Sequence, residues 1–427
     1  MKVKLSHIIL VFCLAGMRVA SGEGLEWRGF IMNQNAFRLT APNDALMMRT
    51  RLRLNAETNG DNVHGFAAVD LLNDAAQRSE TRVKLKSAYI DLFSKYLDLR
   101  VGKQQVVWGK TDGYFINDIV NPLDMSYFLL QDFDDIRMAT NMLKARFHTG
   151  NQALELLFIP EFRPMQIGFT GDWAFQRPDS INVTLPFIGD MNIPLNYADE
   201  VQSQYSLRKA EWGLRFSTFL LGTDLSLIYL KVRDDKPIYS GAVEYDIYGL
   251  PQAINFRPTH PWLQFYGASF SRPIGTFVFR GEGGYFPFRT FNTENQNYVA
   301  NGMLVKKPYL QGMLGCDYQL TATIDLSVQA IREQIIDYEA GIREDEQNTL
   351  ATFMLKGRFF NETLQPMFFS IYNTDDQSYL VRLLADWNYS DNVTVSVGTD
   401  LLGGDSDTIF GQFDGNDNFF LKLQYSF

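Results

Sequence analysis

Val393-Thr-Val-Ser-Val-Gly-Thr-Asp-Leu401 alternates: Val393, Val395, Val397 and Leu401 fall on one face, and Thr394, Ser396, Gly398 and Asp400 on the other. A period of two belongs to an extended strand with one apolar side, because successive side chains point to opposite faces. Ala210, Trp212, Leu214 and Phe216 alternate in the same way with Lys209, Glu211, Gly213, Arg215 and Ser217. So do Ala351, Phe353, Leu355 and Phe359 with Thr352, Lys356 and Arg358. Alternation alone also fits a soluble sandwich, so the spacing of these segments has to decide.

Working outward, the alternating runs number eighteen, with sixteen as the other count: 24–33, 44–57, 62–73, 82–94, 97–107, 137–147, 152–159, 206–218, 223–233, 261–272, 275–287, 308–319, 322–335, 348–360, 363–373, 378–390, 392–402 and 416–427. Their connections alternate in length. Asn59-Gly60-Asp61, Thr149-Gly150-Asn151, Leu221-Gly222, Pro273-Ile274, Asn361-Glu362 and Ser390-Asp391 are short, whereas 108–136, 160–205, 234–260 and 288–307 are long. Short periplasmic turns, long outer loops and an even strand number predict an all-β, transmembrane antiparallel barrel. The chain ends with Phe419, Leu421, Leu423, Tyr425 and Phe427 on one face. Tyr425 and Phe427 therefore read as the assembly signal for the barrel-assembly machinery.

The N-terminus reads as an export signal. Lys2 and Lys4 precede an apolar run from Ile8 to Ala15 and the small residues Ala20, Ser21 and Gly22, which predicts a cleaved signal peptide over 1–22 and one barrel domain over 23–427. Removing Lys2, Lys4 and Arg18 moves the formal charge from −10 to −13 and leaves Cys316 as the remaining cysteine, so no intrachain disulfide is expected. No stretch of 18 apolar residues follows, which excludes membrane helices but not strands. The expected location is the Gram-negative outer membrane, with membrane lipid and lipopolysaccharide as neighbours.

Ala88-Tyr89-Ile90-Asp91-Leu92, Leu99-Arg100-Val101-Gly102-Lys103-Gln104, Trp108-Gly109-Lys110 and Asn121-Pro122-Leu123-Asp124 resemble blocks of a Gram-negative outer-membrane family catalogued only as a domain of unknown function. Pro160-Glu161-Phe162-Arg163-Pro164 and Arg280-Gly281-Glu282-Gly283-Gly284-Tyr285-Phe286 resemble its later blocks. That family is itself similar to the alginate-export channels. The resemblance implies a barrel of this size and a transport role, and names no substrate.

Charge placement supplies the candidate site. A base facing lipid at mid-membrane costs about 2 to 4 kcal/mol, so the charged face of each strand is expected to line the lumen. That assigns Arg49, Arg51, Arg53, Lys84, Lys86, Arg100, Arg280, Glu282 and Arg382 to the pore wall. Loop 108–136 opposes them with Asp112, Asp118, Asp124, Asp132, Asp134 and Asp135, and also carries Tyr114, Phe115, Ile116, Ile119, Tyr127, Phe128, Leu129 and Leu130. So much apolar surface is poorly placed in water. The loop is therefore expected to fold inward, packing Tyr127, Phe128 and Leu129 on the wall and aiming Asp132, Asp134 and Asp135 at the second-strand arginines. A basic wall against an acidic constriction sorts solutes by charge. The 336–347 loop reads as a solvated acidic rim; loop 403–415, with Asp405, Asp407 and Asp414, lacks a recognised calcium register.

Little points to catalysis. After the signal, the histidines are His64, His148 and His260, with no obvious meeting place for a Ser-His arrangement. No metal spacing, phosphate-binding glycine loop or basic nucleic-acid tract is present. The sequence thus predicts a non-enzymatic, porin-like channel for passive passage of small polar or charged solutes, without cofactor. The alternatives are a structural or adhesive barrel without conductance and a barrel-embedded hydrolase.

Overall fold

In the turn between two strands, Leu221 and Gly222 both take positive φ, 51° and 76°. Two left-handed residues in a two-residue connection match the right-handed twist of the strands they join. Turns of this kind fold the chain into successive hairpins. The computed structural model describes residues 24–427 except 77, 129 and 186–188. The signal peptide expected over 1–22 and the wall contact expected of Leu129 lie outside the described residues.

Eighteen strands form the sheet: Glu26–Arg38 (β1), Ala45–Asn59 (β2), Val63–Asp74 (β3), Arg78–Phe93 (β4), Leu97–Gln104 (β5), Thr140–Thr149 (β6), Gln152–Ile159 (β7), Glu211–Leu220 (β8) and Thr223–Arg233 (β9) in the first half. Trp262–Ile274 (β10), Phe277–Asn292 (β11), Leu304–Thr321 (β12), Ile324–Ile335 (β13), Gln347–Gly357 (β14), Leu364–Asn373 (β15), Tyr379–Ser390 (β16), Val393–Gly403 (β17) and Asn418–Ser426 (β18) complete it. Each strand pairs antiparallel with the next, and β18 pairs with β1 from Arg38↔Asn418 to Phe30↔Ser426, which closes the barrel. Phe427 extends that seam by exchanging two backbone hydrogen bonds with Gly29, both 2.9 Å. The eighteen expected strands are all present, the largest boundary changes being the longer outer ends of β1 and β11 and the shorter outer end of β8.

The register sets the two faces. Val83, Leu227, Leu314, Trp212 and Leu423 are more than half exposed on the outside. Trp212, Trp262 and Tyr266 flank the outer end of this band, with Phe219, Phe277, Trp387 and Tyr389 at the other. An apolar band between aromatic girdles is a lipid-facing surface. Two outer loops carry a feature absent from the sequence reading. Segments Ser180–Leu185, Gly189–Tyr197, Ile238–Tyr245 and Pro251–Thr259 form a separate four-stranded sheet with its own core of Ile193, Leu195, Ile254 and Phe256.

Candidate functional site: a loop across the lumen

The β5–β6 connection leaves the wall at residue 105 and returns at 139. Its first part fastens to one wall. The backbone N–H of Lys110 donates to Glu282 at 2.6 Å and the Thr111 hydroxyl to the same carboxylate at 2.9 Å. Arg280 donates to the Lys110 carbonyl and to Asp112, at 2.6 and 2.7 Å, and Gln329 donates to Asp112 at 2.7 Å. Gly113 sits at φ +72°, and a Cβ there would strike the ring of Phe369.

Its last part fastens to the opposite wall. Asp135 pairs with Arg51, with Lys86 at 3.0 Å and with Arg53 at 3.2 Å. Arg53 also holds Asp70 through two bonds of 2.6 and 2.8 Å. Burial alone would raise the Asp135 carboxyl, but Arg51, Lys86 and Arg53 outweigh it and hold the group far below the usual carboxylate range. Asp124 is likewise lowered, burial being overcome by Lys84 at 3.2 Å. β2 and β11 stand nine strands apart in a ring of eighteen, so these two anchors lie across the barrel from each other. The loop spans the lumen.

Among the sequence-expected residues, Arg49, Arg51, Arg53, Lys84, Lys86, Arg100, Arg280, Glu282 and Arg382 all face the interior, and Arg49, Arg51, Arg53, Lys84, Lys86, Arg280 and Glu282 bond to the loop. The acids distribute differently from the expectation. Of the three aimed at β2, Asp135 reaches Arg51 and Arg53, whereas Asp132 reaches Lys422 of β18 at 2.9 Å. The side chain of Asp134 lies outside the described residues. Asp118 turns back on its own loop to Arg137 at 2.6 Å. Burial raises its carboxyl even so. Tyr127 does meet the wall, with the Arg49 guanidinium 4.2 Å above its ring and its hydroxyl donating to Asp74 at 2.5 Å. Burial, with Asp74 accepting this proton, pushes the phenol up to about 12.

Phe128 packs elsewhere. Its ring lies 4.6 Å from Phe413 and within 6.4 Å of Trp173, Phe175 and Phe410, which belong to the outer loops after β7 and β17. Phe410 and Phe413 sit among Asp405, Asp407 and Asp414, in the loop weighed from sequence only for its carboxylates as a calcium site. Two aromatic residues in an acidic stretch were the available signal for its inward packing. Among the described residues no cluster of metal-binding side chains occurs.

A closed antiparallel barrel with a lipid-facing band and a loop anchored across its interior defines an outer-membrane barrel of the porin architecture. The chain belongs to the family described as protein of unknown function (DUF1302), whose model matches residues 33–354. No curated protein sequence matches the chain. Among solved structures it is similar to Pseudomonas aeruginosa OccK2 (OpdF), crystallised in complex with glucuronate, with a TM-score of 0.53 and 10% identity over 94% of this chain and 97% of that one. It is also similar to P. aeruginosa OccD3 (OpdP), TM-score 0.53, 11% identity, 95% and 91% covered. Acinetobacter baumannii OccAB2 aligns with TM-score 0.53 and 9% identity over 95% and 98%. These likenesses carry the fold.

Proposed function

We propose that the protein is a non-enzymatic outer-membrane channel for passive movement of small polar or charged solutes, gated in width and charge by the 105–139 loop. The observation that carries this reading is the fastening of that loop to diametrically opposed strands, β2 and β11, inside a closed barrel. A ring of eighteen strands left empty would hold a wide aqueous bore. A loop stretched across it sets the size of whatever passes. Arg49, Arg51, Arg53, Lys84, Lys86 and Arg280 on the wall, with Asp112, Asp124, Asp132 and Asp135 on the loop, are the proposed constriction.

The pairing refines the mechanism expected from sequence. Arg51, Arg53 and Lys86 converge on Asp135, whose single charge offsets part of theirs, and their first task is to hold the loop. Discrimination by charge then falls to wall groups that the loop does not neutralise. A structural barrel without conductance is the competing reading, supported by the aromatic cluster around Phe128 at the outer end of the lumen. The alginate-export relation stays part of the proposal only as a direction for solute screening.

The test is reconstitution in planar bilayers, with residues 112–134 replaced by a short Gly-Ser linker. Conductance should rise several-fold in the variant, because the groups spanning the bore are gone. A folded, inserted variant with unchanged conductance would show that the loop does not limit flow, and a wild-type barrel that never conducts would favour the structural reading.

A further inference from the structure

The β5–β8 wall holds more positive charge than its carboxylates can match. Arg100 and Lys144 are direct cross-strand neighbours in the β5–β6 register, and like charges so placed destabilise a sheet. Arg100 has a partner, donating twice to Asp91 at 2.5 and 2.8 Å. Asp91 is shared with His64 at 2.9 Å. Lys144 makes no hydrogen bond or ion pair with any described residue.

Below it the shortage repeats. Arg146 and Arg215 flank Glu155 in register, yet stand 3.7 and 3.9 Å from it, at the limit of an ion pair. One Glu155 oxygen is already taken by the Trp108 indole N–H at 2.9 Å, and the Arg215 Nε is buried without a partner. The other acid nearby, Asp98, opposes Arg146 in register but faces His148 at 3.3 Å. Arg100, Arg146 and Glu155 lie four residues from the short turns 94–96 and 150–151, and Lys144 and Arg215 lie six residues from theirs, near the middle of the wall.

We propose that Lys144, with Arg100, Arg146 and Arg215, forms a station for a small solute bearing an oxyanion, a carboxylate or a phosphate, on the wall beside the first part of the crossing loop. The inference rests on the channel reading and names the solute class. A folded chain does not retain two like charges in register and a buried guanidinium nitrogen without acceptor at no cost. An oxyanion supplies the missing acceptors: Lys144 offers three donors, and the guanidinium of Arg215 or Arg146 offers a fork that fits two oxygens.

The experiment is titration calorimetry of the intact, detergent-solubilised barrel with citrate and with inorganic phosphate, using trimethyl citrate as the uncharged control. Citrate or phosphate should bind, the ester should not, and K144Q/R146Q should weaken anion binding about tenfold or more. K356Q, removing a lumenal base on the far wall, should weaken it far less. If the double variant fails to fold, by heat-dependent gel mobility, Lys144→Gln alone carries the test with a smaller loss in the same direction. Equal binding by wild type and K144Q/R146Q, or equal loss in K356Q, overturns the proposal, as does absence of binding by both anions. Binding is read without current, so a barrel that binds citrate but never conducts would defeat the channel reading alone. A conducting barrel that binds neither anion would defeat the station alone.

Discussion

The crossing loop divides the lumen into two sectors of different chemistry. On the β14–β18 side, Leu350, Phe369, Ile371, Leu380, Leu402 and Phe420 join Ile116, Phe128, Leu130 and Ile136 of the loop and Trp173, Phe410 and Phe413 of the outer loops in one buried apolar cluster. Here Arg382 holds Asp400 through bonds of 2.6 and 2.9 Å and Lys422 holds Asp132 at 2.9 Å, while Lys356 makes no ion pair among the described residues. On the β5–β8 side, Trp108, Leu157, Ile159 and Leu230 pack from mid-wall outward, and below them Arg146 and Arg215 compete for Glu155. Matched charge and dense packing make a wall that is fastened; surplus charge makes one that can still bind.

The largest expected effect comes from unfastening the loop. Asp135→Asn leaves Arg51, Arg53 and Lys86 without their shared carboxylate, and removing one partner of a buried pair costs about 3–5 kcal/mol. Current noise in single-channel recordings should rise sharply, with the barrel still closed by gel mobility; a quiet channel would mean the sectors are held apart by something other than this anchor. Phe128→Ala should follow at about 3–4 kcal/mol, since it leaves a void facing Phe413 and Trp173. Its signature is a lowered melting temperature and a wider conductance, without a change in ion selectivity.

Acid gives a graded version of the same break. The Asp135 carboxyl lies below its unfolded value, so its stabilisation is fully present above about pH 4 and is lost as pH falls below that, towards its folded value. Noise should therefore stay flat from neutral to about pH 5 and grow below pH 4; growth already near pH 6 would implicate a different group. The smallest effect sharpens the contrast. Arg382→Gln together with Asp400→Asn, which removes one base and one acid, should leave selectivity within about twofold of wild type, as the net charge of the lumen is unchanged. A larger shift would mean that the packed sector also faces the passing solute.

Local patterns made the barrel legible. Val393, Val395 and Val397 face outward on β17 as their alternation requires, and Phe427 closes the seam on Gly29 where an aromatic end was expected. The inward course of the loop was also legible, because Ile116, Tyr127, Phe128 and Leu130 beside so many aspartates have no comfortable place in water. The partners were not. Asp132 and Asp135 are three residues apart and end on strands β18 and β2, while Asp118 pairs within its own loop. The four-stranded outer sheet escaped notice because it pairs two different loops, joining residues as far apart in sequence as Leu195 and Ile254.

What the sequence determined by itself is the strand number, the face each side chain takes and the closing edge, since a period of two and short turns are properties of neighbouring residues. Which charges would cancel and which would remain was decided only by the closed barrel. Closure places β2 opposite β11 and lets one loop reach both, so Asp112 and Asp135 meet bases on walls far apart in the chain, while Lys144 makes no ion pair with any described residue. Alternation tells that a base faces the lumen; only the positions of the groups across that lumen tell what stands within 4 Å of it.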